Sequence, residues 1–397
     1  MLPEQNPYSP GSGRRPPELV GRTGELEAFD TIRARVTHGM SDRGIVLTGL
    51  RGVGKTVLLN EMHRMAESFE WLTVRLEARR DEGGARAVRR ALARELVVSA
   101  RKLTRSKLTA LMREALGTIS SFNAKVGATG IELGVALNDG RADSGDAEVD
   151  LLELVEDVST ALGERRRAFG VFVDEMQDLD AETMGALIAA QHAANQREWP
   201  FYIIAAGLPN LPRVLTETRS YAERLFNYRQ IGTFSRDDAA HALREPAERL
   251  GAEFAPDALE ILLEAAGGYP YFIQEYGQAA WNLSSRLVTL ADATAAVQYG
   301  TEQLDAGFFR SRWQRATRSE RRMLRAMAAD GEGPSSTALV TQRMGIPTTS
   351  LGPYRAALIS KGLVYSPEHG QIAFTVPGMA GYVDRHHEDL DDGSPSV

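Results

Sequence analysis

One run of residues, Gly49-Leu50-Arg51-Gly52-Val53-Gly54-Lys55-Thr56, constrains what this chain can fold into more than any other feature. It follows the apolar segment Ile45–Thr48 and opens a stretch bearing Val57, Leu58, Leu59 and Met62, so it reads as the turn between a buried strand and a helix. Glycines let the backbone curl until successive N–H groups point inward at phosphate oxygens, and the helix N-terminus adds positive potential there. Lys55 supplies a point charge for β- and γ-phosphates, and the Thr56 hydroxyl is placed to ligate Mg²⁺. The expected phosphate contacts are Gly49, Leu50, Arg51, Gly52, Val53, Gly54, Lys55, Thr56 and Val57. The expected ligand is a nucleoside triphosphate.

Such a cradle needs an acid at the end of a neighbouring strand to hold the metal. Phe169-Gly170-Val171-Phe172-Val173 runs into Asp174-Glu175. Asp174 is the candidate metal partner, through water, and Glu175 the candidate base for an attacking water. The adjacent Gln177 and Asp178 fit two descriptions equally, supporting groups for that base or solvated residues at a helix start.

Short apolar runs alternate with amphipathic helices up to about residue 232, which signals an α/β fold with a parallel sheet. The expected strands are Ile45–Thr48, Trp71–Leu76, Phe169–Asp174 and Phe201–Ala206. An insertion at about 84–146 interrupts them: two helices over 84–119, a hairpin over Phe122–Leu137 carrying Ile131, Leu133 and Val135, and a flexible polar loop through Asp146. Residues 235–303 read as helical, and residues 318–385 as a helix–turn–helix closed by a hairpin at Leu363–Tyr365 and Gln371–Val376. The Pro/Gly-rich residues 1–17 and the acidic residues 387–397 read as disordered tails.

The chain has no cysteine, which removes disulfides and thiolate chemistry, and its seven scattered histidines do not suggest a zinc site. No run is long and apolar enough to span a membrane, and no secretory signal is visible, so a soluble cytoplasmic protein is expected. The net charge of −7 argues against nucleic acid only as an average. Residues 79–107 hold ten Lys/Arg against three Asp/Glu, and residues 310–385 hold eleven against five, on an otherwise acidic chain.

Pro17-Glu18-Leu19-Val20-Gly21-Arg22 with Glu25-Leu26, upstream of the phosphate loop, resembles the opening segment of AAA+ ATPases of the replication-initiator type and their signalling (STAND) relatives. The resemblance runs from about residue 18 to 385 and extends to bacterial ATP-binding proteins with a C-terminal winged helix. It implies a three-layer P-loop base over 18–232, a helical lid over 233–305 and a winged helix–turn–helix over 306–386. It implies ATP rather than GTP, with Val20, Gly21 and Arg22 at the base. Asn210, after the strand Phe201–Ala206, stands where the family places a polar sensor, or simply forms a turn. Arg224 matches an arginine finger acting on a neighbouring copy's nucleotide, or pairs with an acid such as Glu223 within its own chain. Gly268-Tyr269-Pro270 matches the lid's G-x-P segment, with Pro270 near the nucleotide, but Tyr271 stands where initiator-type members often carry an arginine.

These parts imply an ATP-hydrolysing switch coupled to the winged helix. One reading engages double-stranded DNA through Arg310, Arg312, Arg315, Arg318, Arg321, Arg322 and Arg325, with only Arg355 and Lys361 on the expected recognition helix. The other is a signalling ATPase whose winged helix holds a protein partner or the ATPase itself. An arginine finger in trans would add a homo-oligomer.

Overall fold

The computed structural model describes residues 1–11, 13–78, 85–103, 109–126, 137–138 and 140–386. The chain divides into two compact units, Arg22–Gly49 with Lys55–Ile231, and Met1–Gly21 with Leu50–Gly54 and Gly232–Val397.

The first unit runs α1 (Thr23–Thr37), β1 (Gly44–Thr48), α2 (Lys55–Ser68), β2 (Leu72–Glu77), α3 (Ala85–Leu103), α4 (Ala110–Val126), α5 (Ala147–Gly163), β3 (Phe169–Asp174), α6 (Ala181–Arg197), β4 (Phe201–Gly207), α7 (Leu211–Thr218) and β5 (Phe226–Gln230). Its parallel sheet has the order β2-β3-β4-β1-β5. Every residue of β1, β3 and β4 is buried, as continuous apolar strands require when helices cover both faces. Alternate side chains divide between those faces. Phe172 and Tyr202 join Phe29 of α1, His63 of α2 and Trp71 in an aromatic cluster. Val171, Val173, Ile203 and Ala205 pack into the opposite core with Leu154, Leu187 and Ile188. The register aligns Thr48 with Gly207, and Val173 with Ala205, so the carboxyl ends of β1, β4 and β3 finish together.

Two expectations fail in this unit. Phe122 through Val126 is the last turn of α4, with Phe122 buried, so the hairpin does not begin there; Ile131, Leu133 and Val135 lie outside the described residues. The stretch expected as a flexible loop is tied down where it is described. Arg141 pairs with Glu156 at 2.9 Å and with Asp157, while buried Asp150 accepts from Ser144 N–H at 2.8 Å and Gly145 N–H at 3.0 Å. The loop thereby caps α5, whose own Asp146 accepts from the Glu148 and Val149 N–H groups.

The second unit runs α8 (Arg236–Glu248), β6 (Glu253–Phe254), α9 (Pro256–Ala266), α10 (Pro270–Leu283), β7 (Leu287–Val288), α11 (Leu290–Gln303), α12 (Arg310–Gln314), α13 (Arg318–Ala328), β8 (Ser335–Ser336), α14 (Thr337–Met344), α15 (Leu351–Ser360), β9 (Val364–Tyr365), β10 (Gln371–Phe374) and α16 (Met379–Arg385). Leu304–Phe309, a π-helical turn, joins α11 to α12. Thr317 and Glu320 form a capping box that starts α13. β8, β10 and β9 form a three-stranded sheet in that order, with antiparallel pairings.

The first residues are not the loose tail expected of 1–17. Tyr8 is 2% exposed and its hydroxyl donates to the Leu243 carbonyl. Trp281 Nε1 donates to the Leu2 carbonyl at 2.9 Å, and Asn6 Nδ2 to that of Gln278 at 3.1 Å. A buried aromatic with its hydroxyl satisfied outweighs the breaker-rich composition around it. Residues 387–397 lie outside the described residues.

Candidate nucleotide site

In the first unit the carboxyl ends of the aligned strands gather the expected polar groups. Lys55 opens α2 and is 6% exposed, and its ammonium donates to the Gly49 carbonyl at 2.9 Å. Gly49 N–H in turn donates to the Gly207 carbonyl at 3.2 Å, joining the end of β1 to that of β4. The Thr56 hydroxyl hydrogen-bonds the Asp174 carboxylate, which is also 6% exposed. Burial pushes the Asp174 carboxyl above its ordinary range, and neighbouring Glu175 adds to this, while Thr56 and Lys55 oppose it. The first two positions of a helix and the last residue of a strand two places away in the sheet thus converge.

Glu175 directly follows and adopts left-handed backbone, φ 50° and ψ 40°. That conformation is uncommon for a residue with a Cβ and is kept only when its surroundings determine it. The surroundings are visible. Asp174 Oδ1 accepts the Glu175 N–H at 3.0 Å, and Gln177 Nε2 donates to Glu175 Oε2 at 2.7 Å. Gln177 is buried, and its Oε1 accepts the Leu208 N–H at 3.0 Å. The side chain can cross there because Gly207 has none: a Cβ on Gly207 would lie 2.4 Å from Gln177 Oε1. Of the two descriptions open for Gln177, the solvated one is ruled out. Sequence spacing could not choose, because the deciding partner lies thirty-one residues downstream.

Asn210 follows that crossing and caps α7 without a side-chain cap bond; its Oδ1 is buried with no partner among the described residues. Arg219 and Arg224, the two candidate fingers, part company. Arg219 pairs with Glu148, whereas Arg224 is exposed, and among the described residues no ion pair engages it. Arg22 is buried at the start of α1.

In the second unit Gly52 and Gly54 take φ of +85° and +93°, the curl a phosphate loop needs. Val53 is buried, Leu50 half-buried, and the Tyr271 N–H donates to the Gly52 carbonyl at 3.3 Å. Val20 packs against the helical core, and Gly21 (φ +65°) lies close to Asp238 and Phe234. Pro270 opens α10, the position where its missing N–H is harmless. Val57 lies in the first turn of α2 in the other unit.

Residues 18–204 match the family model described as "AAA ATPase domain". The Walker-type ATPase PABY2304 of Pyrococcus abyssi is similar to 93% of this chain over 97% of its own, at 16% identity and a TM-score of 0.58. The fold is that of an AAA-type P-loop ATPase. Similarity is lower to the Thermotoga maritima RuvB Holliday junction branch migration motor (13% identity, 94% and 96% covered, TM-score 0.43). The same holds for the Aeropyrum pernix Orc1 protein solved in complex with DNA (15%, 94% and 94%, TM-score 0.42). Residues 306–383 match a model described as "Domain of unknown function (DUF8462)". No curated protein matches the sequence.

On this ATPase fold the donor set suits Mg²⁺. A buried carboxylate and a hydroxyl supply hard oxygens, and the ion ordinarily takes its remaining ligands from water and phosphate. Among the described residues no cluster of three or more His, Cys, Asp or Glu offers an all-protein cage, and no helix is long and apolar enough to cross a membrane. Five of the C-terminal basic residues are engaged within their own unit. Lys361 pairs with Glu320 at 2.6 Å, Arg343 with Asp330, and Arg355 with the Ser366 hydroxyl. Arg322 donates to the Met344 carbonyl at 3.1 Å and Arg321 to that of Trp313 at 3.3 Å.

Proposed function

We propose that this chain binds ATP with Mg²⁺, hydrolyses it, and passes its nucleotide state to the C-terminal unit as a molecular switch. One observation carries the reading: Glu175 is held in left-handed backbone, with one carboxylate oxygen fixed by Gln177, directly beside the Thr56–Asp174 pair. Binding alone would not require so constrained a carboxylate.

In this reading the N–H groups from Leu50 to Val57 and the Lys55 ammonium hold the phosphates. Val20, Gly21 and Arg22 contact the base, and Pro270 brings the lid segment toward it. Mg²⁺ would be held by Thr56 and, through water, by Asp174, and would neutralise charge on the phosphate oxygens. Glu175 accepts the proton of the attacking water, and Gln177 orients its carboxylate by bonding one of the two oxygens. Asn210, whose side-chain Oδ1 is buried without a partner among the described residues, stands ready to orient that water or the terminal phosphate. Arg224, exposed and without an ion pair among the described residues, is the arginine a second copy would meet, which makes a homo-oligomer the working assembly.

The C-terminal segment we read as a winged helix. The basic residues of the expected recognition helix are engaged inside the unit, Lys361 by Glu320 and Arg355 by the Ser366 hydroxyl, which favours a protein partner or the ATPase itself over a DNA groove. Titrating a labelled duplex at two salt concentrations separates the readings. Duplex-binding DNA contact gives steep salt dependence, and the favoured reading gives none. For the ATPase itself, Lys55→Ala should abolish ATP binding measured by calorimetry; unchanged binding would remove the phosphate loop from the reading.

A further inference from the structure

A cleft of about 500 Å³ opens within the second unit, and every residue that lines it belongs to that unit. Its walls come from α10, α11 and the π-helical turn with α12. Tyr271 and Glu275 stand one turn apart on the face of α10 that lines it, and the Tyr271 hydroxyl donates to the Glu275 carboxylate. The Tyr271 ring stacks on Phe308 of the π-helical turn, centroids 4.8 Å apart at 23°. On Phe308 lies the guanidinium of Arg312, 3.8 Å from the ring centroid, with Nη1 donating to the Phe308 carbonyl at 2.6 Å. A carboxylate thus stands at one end of a two-ring stack and a guanidinium at the other.

The two charges do not neutralise each other. Among the described residues Glu275 enters no ion pair, with Arg312 or any other cation. Burial pushes the Glu275 carboxyl above its ordinary range and draws Arg312 down to about 10, so both charged forms are disfavoured there. An anion alone would meet Glu275, and a cation alone would meet Arg312. A neutral molecule would strip water from both and replace it for neither. A molecule with a cation at one end, a carboxylate at the other and an apolar stem between satisfies both charges and lays its stem on the rings. Tyr299, 46% exposed and with no ring partner among the described residues, adds an aromatic face for the cation. Gly307 leaves room, since a Cβ there would meet nothing within 4 Å.

We propose that this cleft binds a small zwitterion of the ω-guanidino or ω-amino acid class, the class of the free basic amino acids, with its side-chain cation on Glu275 and its carboxylate on Arg312. No residue of the nucleotide site takes part, so the assignment stands whether or not the chain hydrolyses ATP.

The test is calorimetric titration of the full chain with L-arginine, with agmatine, which lacks the carboxylate, and with L-norvaline, which lacks the guanidinium. L-arginine should bind, and each truncated probe should bind at least about tenfold more weakly. In Glu275→Gln, whose amide oxygen still accepts from Tyr271, L-arginine should lose its advantage over L-norvaline. In Arg312→Gln it should lose its advantage over agmatine. Because Arg312 packs on Phe308, thermal unfolding accompanies each variant, and Gly307→Leu decides if Arg312→Gln does not fold. That leucine enters open space on helical backbone, so the fold should survive while L-arginine binding is lost. No binding of L-arginine at millimolar concentration, equal binding of either truncated probe, or unchanged binding in Gly307→Leu overturns the assignment.

Discussion

Gln177 joins Glu175 to the end of β4: its amide nitrogen lies 2.7 Å from Glu175 Oε2 and its amide oxygen 3.0 Å from the Leu208 nitrogen. A base held this way depends on a residue that never touches the nucleotide. Gln177→Ala frees one carboxylate oxygen of Glu175, and turnover should fall by about a hundredfold, the scale of a reacting group displaced by about 1 Å. ATP affinity should stay within about twofold. Gln177→Glu, which replaces the donated hydrogen bond by like-charge repulsion, should be at least as slow.

Gly207 makes that bridge geometrically possible. In Gly207→Ala the new methyl would meet Gln177 Oε1 at 2.4 Å and Leu211 Cδ2 at 2.7 Å. The clash should lower stability by about 1–3 kcal/mol and reduce turnover together, because relieving it displaces Gln177. Thermal unfolding and steady-state hydrolysis on one preparation check both. A variant that is less stable yet fully active would show that the bridge is not needed.

Arg219 and Arg224 should separate by role. Arg219→Ala removes an ion pair to Glu148 between half-exposed side chains, which contributes at most about 1 kcal/mol, and should leave turnover alone. Arg224→Ala should reduce hydrolysis about a thousandfold if copies supply the arginine to one another. Turnover per chain should then rise with protein concentration in wild type and be flat in the variant.

Tyr8 should anchor the second unit. Tyr8→Ala opens a cavity against Leu243 and leaves that carbonyl without its donor, so a loss of about 3 kcal/mol is expected by denaturant unfolding. Deleting residues 1–10 should do the same. Neither change should alter a first-unit property such as the Phe29–Trp71–Tyr202 cluster's near-ultraviolet signal.

The sequence showed what local pattern can show. Four strands were legible because short, mainly apolar runs bounded by glycine or polar residues have few other uses, and the phosphate loop because strand, glycines, lysine and helix occur in order. β5 was missed: only Phe226 of its five residues is buried, so Phe226-Asn227-Tyr228-Arg229-Gln230 carries neither a buried run nor a clean alternation. Residues 1–10 were misread because composition does not register one well-placed tyrosine. The hairpin reading of Phe122 rested on an alternation that the helical α4 overrode by packing. Gln177, and the stack from Tyr271 to Arg312, were out of reach because each depends on partners far along the chain.

The most direct measurement is a paired one on Glu175→Gln, with ATP affinity by calorimetry and single-turnover hydrolysis at saturating protein. The substitution keeps the shape of the side chain and removes its ability to take a proton. Affinity equal to wild type with hydrolysis slowed by about 10²–10⁴ is the expected result. Hydrolysis at the wild-type rate would contradict the account, because the residue held beside Asp174 and Thr56 would then not be the base.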